Sequence, residues 1–238
     1  QCLWMEPGDS MSEWIRRSQD HQVWITRLMT EACRRDNRMV SFAIHLFIDA
    51  WPAGWMKTIM DCRRHPKPAY FAYQDALAPL AVSCRTDRTC GTSGESIEAE
   101  AWVCNDLNEI TAGVELCYQL ERGGRVVRSA RVPARIRSNE AVFQGRIRFE
   151  LPSVTERETL TLRLGLLSAS GETLHDTAQT FGVFPILAQP SSQMTAQSLG
   201  GEKARLLASE LALSPAAAEA LWIIDAPAAL EDPVLLAA

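Results

Sequence analysis

Hydrophobic and polar residues follow three different patterns along the chain, and each pattern predicts a different kind of structure. Residues 11–36 place apolar side chains at the helical spacing i, i+3, i+4, i+7 and i+8. These side chains are Ile25, Leu28, Met29, Ala32 and Cys33. Asp9 and Ser10 precede the run as suitable N-cap residues, and the cations of RRDNR close it, where the helix dipole favours them. The pattern therefore predicts a helix with one apolar face.

A nearly continuous apolar run, MVSFAIHLFI (39–48), follows this helix. It is rich in β-branched and aromatic residues, which is typical of a strand buried on both faces in a parallel sheet. A loop and a second helical segment, AYFAYQDALAPL, come next. The order helix, buried strand, helix predicts an α/β arrangement for residues 1–80.

Residues 81–187 change to short alternating segments separated by turn signals, which predict an antiparallel β-sandwich. In one segment Phe143, Ile147 and Phe149 alternate with polar residues, and in another four leucines share one face: Leu160, Leu162, Leu164 and Leu166. RGGR at 122–125 predicts a two-residue hairpin, since both glycines can adopt positive φ. The seven predicted strands are LAVSCRT, SIEAEAWVCND, GVELCYQLE, RVVRSARVPARI, AVFQGRIRFELP, TLTLRLGLLS and TLHDTAQTFGVF.

The last fifty residues change character again. Residues 188–200 have the composition of a linker. Residues 201–212 are predicted to be helical, and ALWIID is predicted to be a short buried strand. We interpret 201–238 as the truncated start of a further α/β domain.

The composition is that of a globular protein, and it gives no indication of nucleic acid or a membrane as a partner. The 238 residues are 47% hydrophobic and 22% charged, as in an ordinary globular protein. A net charge of −5 gives no reason to expect nucleic acid as a partner, and no apolar run reaches the length of a membrane span. No signal peptide is visible, and the start on Gln1 suggests a piece of a longer protein.

The seven cysteines show no C-x-x-C pair and the four histidines are scattered, so we expect no metal site and no cofactor. An odd number of cysteines favours free buried thiols in a reducing compartment, and hence a cytoplasmic location over a periplasmic or secreted one. The alternative is a single bridge between Cys84 and Cys90, which flank a short turn.

The segment FIDAWPAGW (47–55) is the candidate site. Asp49 follows the predicted strand, and Trp51 and Trp55 lie in the loop beyond it. Tryptophan rings pack on the apolar face of a sugar while a carboxylate accepts hydrogen bonds from its hydroxyls, so the segment favours carbohydrate binding. The alternative is that both tryptophans only pack in the core or loop and that Asp49 caps a turn.

Other polar clusters favour structural roles. The acids of residues 1–80 contain no convincing pair for glycoside chemistry, and Glu13, Asp20 and Glu31 are expected on a solvated helix face. NDLNE (105–109) lacks the spacing of a calcium loop and is predicted to be a turn in which Asn105 and Asp106 bond their own backbone. The arginines between 122 and 137 are expected on a solvated sheet face.

The chain resembles glycoside hydrolase family 2 over residues 10–187. The resemblance rests on a helix with Gln22 and Glu31, on Asp49-x-Trp51-Pro52, and on RRHPKPAYFAY leading into the next helix. The segment GESIEAEAWVCNDL is similar to the start of the immunoglobulin-like sandwich that follows the barrel in that family. The resemblance implies the C-terminal end of a (β/α)8 barrel over 1–80, an immunoglobulin-like antiparallel β-sandwich over 81–187, and a short α/β tail after the linker.

The resemblance further implies a retaining exo-β-glycosidase that hydrolyses terminal non-reducing β-sugars. Neither catalytic glutamate motif is present, so no catalytic residue is assigned. The partners expected are a carbohydrate substrate and the missing N-terminal half of the barrel with a jelly-roll domain, and a second copy of the chain is a further candidate. Asp49, Trp51 and Trp55 are the expected substrate-binding residues, with Trp51 as a wall of the sugar subsite. The alternative is a non-catalytic β-sandwich module for glycan binding or domain packing.

Overall fold

A computed structural model describes the chain at residues 8–52, 57–109, 112–186, 195–199, 202–210, 214–215 and 221–224. It divides into two compact units, Gln1–Phe184 and Pro185–Ala238. The first unit holds two helices and eight strands, and the second holds a helix and three short strands among the described residues.

The first helix, α1 (Met11–Arg35), begins and ends where its capping residues predict. The Ser10 hydroxyl accepts a hydrogen bond from the backbone N–H of Glu13 at 3.2 Å, and the Glu13 carboxylate accepts one from the N–H of Asp9 at the same distance. The bond to Ser10 satisfies a donor that the first turn of a helix leaves free, and the bond from Asp9 ties the preceding residue to the same turn.

The face of α1 that packs inward is polar, contrary to the apolar pattern. Thr26, Thr30 and Glu31 are buried, whereas Leu28 and Met29 are 41% and 62% exposed. The reason lies in the surfaces that α1 meets, because α2 (Pro68–Ala76) and the sandwich present carboxylates, hydroxyls and carbonyls to it. The expectation that Glu31 lies on a solvated face is therefore wrong.

The prediction of a buried strand at 39–48 is also wrong. This segment is extended but forms no sheet, and Val40 is 97% exposed. Within the described residues its one ladder contact is an isolated parallel bridge between Ile48 and Met60, and Leu46 has a φ of 63°. A buried strand requires hydrogen-bonding neighbours on both sides, and the described chain supplies a single bridged residue.

The remaining strands of this unit form a two-layer β-sandwich, as predicted. One sheet has the order β1-β3-β6 and the other has the order β2-β8-β7-β4-β5. Neighbours are antiparallel except for the short β2, which pairs parallel to β8 and was not predicted. Their bounds are β1 (Leu80–Thr86), β2 (Cys90–Thr92), β3 (Ser96–Asn105), β4 (Glu115–Arg122), β5 (Arg125–Pro133), β6 (Glu140–Glu150), β7 (Glu158–Leu167) and β8 (Thr173–Phe184).

The core lies between the two sheets. The four predicted leucines of β7 are each 2% exposed or less, and the rings of Phe149 and Phe181 meet edge to face at 5.2 Å. Burying each such side chain contributes about 2 kcal/mol, so this layer dominates the stability of the unit. Gly123 and Gly124 form the predicted hairpin with φ of 56° and 75°.

The second unit contains a small parallel sheet of order β10-β9-β11, with β9 (Thr195–Leu199), β10 (Ser214–Pro215) and β11 (Leu221–Ile224). The helix α3 (Glu202–Glu210) follows β9 and confirms the predicted helix. The predicted strand in ALWIID is present as β11, whereas β9 occupies part of the predicted linker.

Candidate functional site

Asp49 lies at the end of the extended apolar segment and is held at both its backbone and its side chain. Its N–H donates to the carbonyl of Met60 at 3.1 Å, and its Oδ2 accepts from the Lys67 ammonium at 3.2 Å. The side chain is only 5% exposed. A buried carboxylate of this kind requires a cation beside it to remain ionised without a large cost.

Lys67 and Gln22 also form hydrogen bonds with Lys57 and Thr58, which lie further along the chain than Asp49. The Lys67 ammonium also donates to the Thr58 hydroxyl at 2.6 Å. From α1, the Gln22 amide donates to the carbonyls of Lys57 and Thr58 at 2.8 and 3.0 Å. Thr58 and Ile59 are fully buried, so this short segment is packed as well as bonded.

The second carboxylate oxygen of Asp49, Oδ1, is buried and has no hydrogen-bond partner within the described part of the chain. Because the atom is shielded from solvent, a sugar hydroxyl reaches it only if a neighbouring group moves. The geometry favours a supporting role for Asp49 over direct contact with a ligand.

Trp51 is two residues further along and presents its indole to solvent, with 63% of the residue exposed. A large exposed aromatic face can stack on the C–H face of a sugar ring. Trp55, the third predicted residue, lies outside the described residues. So does Glu6, the only other acid that the sequence places in an aromatic loop near the start of the chain, WMEPG. The structure thus places Asp49 and Trp51 at one end of the apolar segment and leaves the position of Trp55 untested.

Aromatic rings continue from this end of the segment toward α2. Phe47 contacts Tyr70 at a ring distance of 6.1 Å, and Tyr70 contacts Phe71 at 5.5 Å, both edge to face. They line an open concavity of about 720 Å³ together with Gln74 and Asp75. Its size is that of a small-molecule site, and four of its nine lining residues are aromatic.

A buried row of charges on α1 was missed by sequence reasoning. Arg27 donates to Asp75 of α2 at 2.7 Å and to Thr177 of β8 at 3.3 Å. Glu31 lies between Arg27 and Arg35, at 3.8 and 3.4 Å, and desolvation raises its pKa to about 7 despite both cations. The signal was present as an i, i+4, i+8 repeat of alternating charge, which marks one helical stripe.

Arg34 and His175 complete the contacts between the helices and the sandwich. Arg34 is almost wholly buried and donates to the carbonyl of Ala76 at 2.7 Å and to Asp106 at 2.8 Å. The His175 Nδ1 accepts from the N–H of Val82 at 3.2 Å, which places the ring proton on Nε2, toward the carbonyl of Asp75 at 3.3 Å. These residues fix the helices on the sandwich and do not line an open site.

The other sequence candidates have structural surroundings. Asn105 bonds the backbone of Leu107 and Glu109, which confirms the predicted turn, whereas Asp106 pairs with Arg34. Arg122 pairs with Glu158 on the sheet surface.

Cys84 and Cys90 are free thiols, and burial raises the pKa of Cys84 to about 12. Among the described residues, no cluster of three His, Cys, Asp or Glu side chains is placed to hold a metal ion. No described helix is long and apolar enough to cross a membrane.

Comparison with known proteins finds similarity to solved structures but none to a family model or a curated sequence. No protein-family model and no curated protein matches the sequence. Among solved structures, the β-D-mannosidase of Dictyoglomus thermophilum is 19% identical with a TM-score of 0.55, over 83% of this chain and 23% of that one.

Two further structures are similar. An exo-β-D-glucosaminidase, CsxA, is 15% identical with a TM-score of 0.55, over 73% of this chain and 20% of that one. The exo-chitosanase CsxA of Amycolatopsis orientalis is 14% identical with a TM-score of 0.52, over 78% of this chain and 21% of that one. The chain thus spans between a fifth and a quarter of the length of these glycoside hydrolases, and its resemblance to such enzymes is confirmed at the level of fold.

Proposed function

We propose that this chain is the C-terminal part of a retaining exo-β-glycosidase of glycoside hydrolase family 2, and that its catalytic glutamates lie in a preceding part of the protein. Residues 1–80 would complete a (β/α)8 barrel, and the sandwich would be its immunoglobulin-like accessory domain. Support comes from the similarity to a β-D-mannosidase and to exo-glucosaminidases over most of this chain. The strand order β1-β3-β6 facing β8-β7-β4 also agrees with an immunoglobulin-like sandwich.

The exposed indole of Trp51 beside the buried, cation-held carboxylate of Asp49 is the observation that carries the proposal. In a barrel, active sites lie at the carboxyl ends of the strands. Asp49 and Trp51 would take such a position if the extended segment 39–48 paired with barrel strands in the longer protein. Trp51 would form a wall of the subsite for the terminal sugar, and Asp49 would hold the wall in place. Burying an aromatic face against a sugar would contribute about 1–3 kcal/mol.

The test is to express the chain together with the coding sequence that precedes it and to assay nitrophenyl β-glycosides of mannose, glucosamine, galactose and glucuronic acid. We expect hydrolysis of at least one substrate. Trp51→Ala should lower kcat/KM by at least about tenfold, equivalent to roughly 1.4 kcal/mol. Trp24→Ala is the matched control, since Trp24 on α1 is also exposed, at 45%.

Each outcome has a distinct meaning. Absence of hydrolysis for all four substrates would contradict the proposed activity, and unchanged kinetics in Trp51→Ala would contradict the subsite. Residues 1–238 alone are expected to be inactive. Turnover by this chain that disappears in Glu6→Gln would show that a catalytic acid is present after all.

A second candidate function, glycan binding by the sandwich itself, has one observation in its favour. Trp102 and Phe143 pair at a ring distance of 5.3 Å on the sheet face opposite the core, and the Trp102 indole N–H donates to Glu100 at 3.0 Å. Retention of residues 1–238 on immobilised β-linked oligosaccharides, lost in Trp102→Ala but not in Trp51→Ala, would favour this function over the first.

A further inference from the structure

We propose that Lys67 is the positioning residue of the sugar subsite, because its ammonium closes the base of the loop that carries Trp51. The role in a sugar subsite rests on the proposed function, whereas the effect of Lys67 on the position of Trp51 does not. Lys67 acts on Trp51 through Asp49, which lies two residues before it, and the bond from Lys67 to Thr58 fixes the ammonium group in place.

The ammonium group bonds both ends of the loop at once. One bond, of 3.2 Å, goes to Asp49 Oδ2, and the other, of 2.6 Å, goes to Thr58 Oγ1. The Lys67 side chain is only 19% exposed, so neither bond competes freely with water. A lysine has three donors on a single atom, which suits it to joining two acceptors that come from different segments.

Backbone bonds place Lys67 at this point and reinforce the closure. The Lys67 N–H donates to the carbonyl of Ile59 at 2.9 Å, and the Asp49 N–H donates to the carbonyl of Met60 at 3.1 Å. Ile59 between them is fully buried. The ammonium therefore sits over a small packed junction of three segments rather than at the tip of a mobile side chain.

The choice of residue at this position argues for a role beyond local structure. Lys67 is the N-cap of α2, yet its side chain makes no capping hydrogen bond. An N-cap favours Ser, Thr, Asp or Asn, and a cation near the positive end of a helix dipole is unfavourable. Residues that break a local rule without a local gain are expected at functional sites.

Trp51 depends on Asp49 for its position, because its side chain has no hydrogen bond or ring contact with the described part of the chain. Its side chain is mostly in solvent, so the direction of the indole follows from the backbone between Asp49 and Trp51. Without Lys67, the Asp49 carboxylate would be buried with neither oxygen paired, and the end of the loop would have to move to rehydrate it. A displaced indole would weaken sugar binding before and during the reaction alike, which raises KM and leaves kcat unchanged.

The first test uses residues 1–238 labelled with 5-fluorotryptophan and observed by ¹⁹F NMR, with the Trp51 signal assigned through Trp51→Phe. Lys67→Met should shift or broaden the Trp51 signal and leave that of Trp102 in the sandwich unchanged, and Lys67→Arg should restore it. Lys57→Met is the matched control, since Lys57 is exposed and its side chain has no hydrogen bond or ion pair among those found in the described chain. An unmoved Trp51 signal in Lys67→Met would overturn the proposal.

Two further variants test the proposal if Lys67→Met does not fold. The double variant Asp49→Asn with Lys67→Met removes both charges and should fold, with the Trp51 signal still displaced. Thr58→Val removes one of the two bonds with little change of volume and should displace the signal in the same direction. A native signal in either variant would contradict the closure.

The second test is kinetic and uses the longer glycosidase. Lys67→Met should raise KM by at least about tenfold with kcat unchanged, and Lys67→Arg should recover part of the loss. A fall in kcat at constant KM would contradict positioning through Trp51. If the longer protein hydrolyses nothing, the proposed function fails, while the NMR comparison still decides whether Lys67 controls the position of Trp51.

Discussion

Replacing Glu31 by glutamine is expected to stabilise the protein increasingly as the pH rises from 4.5 to about 7. Glu31 is buried on α1, and desolvation raises its pKa from the ordinary 4.5 to about 7, against the opposing effect of Arg27 and Arg35. The unfolded chain therefore loses the proton first. Between these two pH values the folded state binds more protons than the unfolded state, so the free energy of unfolding of the wild type falls as the pH rises.

The magnitude follows from the two pKa values. The interval between 4.5 and about 7, taken at about 1.4 kcal/mol per pH unit, gives roughly 3 kcal/mol for the contribution lost by the wild type. Above the folded pKa both states are ionised, and the difference becomes constant. A glutamine at this position keeps the shape and an acceptor for Arg35, which now lies 3.4 Å from the carboxylate, and it cannot ionise.

The assay is urea unfolding followed by tryptophan fluorescence at pH 5, 6, 7 and 8 for the wild type and Glu31→Gln. Comparing the two proteins at each pH cancels the titration of all other groups. Asp20→Asn is the matched control, since Asp20 lies on the same helix with a side chain 61% exposed, and it should show no such trend. A difference between Glu31→Gln and wild type that is flat from pH 5 to 8, or that changes in the opposite direction, would refute the reasoning.

Three further predictions concern the sandwich and the thiols. Leu162→Ala should lower the free energy of unfolding by about 3 kcal/mol, because Leu162 is fully buried between the sheets, and urea titration measures this directly. Gly124→Ala should cost about 1 kcal/mol at a φ of 75°, and Gly124→Asn should cost less, by the same titration; equal costs would contradict the left-handed turn. Ellman's reagent at pH 8 should modify the exposed Cys90 well before Cys84, whose pKa burial raises to about 12, and peptide mass spectrometry distinguishes the two.

The sandwich was predictable from the sequence because each of its signals is local. Alternation along β7 defines which leucines face the core, and the two glycines of RGGR determine the hairpin that joins β4 to β5. Ser10 marks the start of α1 through a bond to a residue three positions away. None of these signals depends on what lies elsewhere in the chain.

The errors arise where the structure of a segment depends on which other segment pairs with it or packs against it. An apolar run becomes a strand only when other strands accept its hydrogen bonds, and residues 39–48 have one bridged neighbour in the described chain. Glu31 looked solvated because its spacing shows only that it shares a stripe with Arg27 and Arg35. Which stripe faces inward depends on α2 and the sandwich, and the sequence does not show that contact.

The candidate site was predicted in part for the same reason. Asp49 and Trp51 are adjacent to a visible pattern, the end of an apolar run. Lys67 bonds Thr58 and Asp49 from positions 9 and 18 residues away, and Gln22 bonds Lys57 from 35 residues away, and no local rule points to these contacts. The one available sign was the Lys67-Pro68 pair just before the second predicted helix, because a proline is favoured in the first turn of a helix and a lysine is not favoured as its N-cap.

The exposed apolar surfaces of the first unit have a common physical explanation under the proposed function. Within the described residues, the segment at 39–48 has backbone groups without sheet partners, and Leu28 and Met29 in the apolar stripe of α1 face solvent. Soluble proteins rarely leave apolar patches of this kind uncovered, and an extended apolar segment with unpaired backbone groups favours pairing with another strand. Neighbouring barrel strands would satisfy the backbone of 39–48, and the helices that accompany them would cover the stripe of α1. The charged row of Arg27, Glu31 and Arg35 would then lie on the opposite face of the same helix, where it would hold the barrel end against the sandwich.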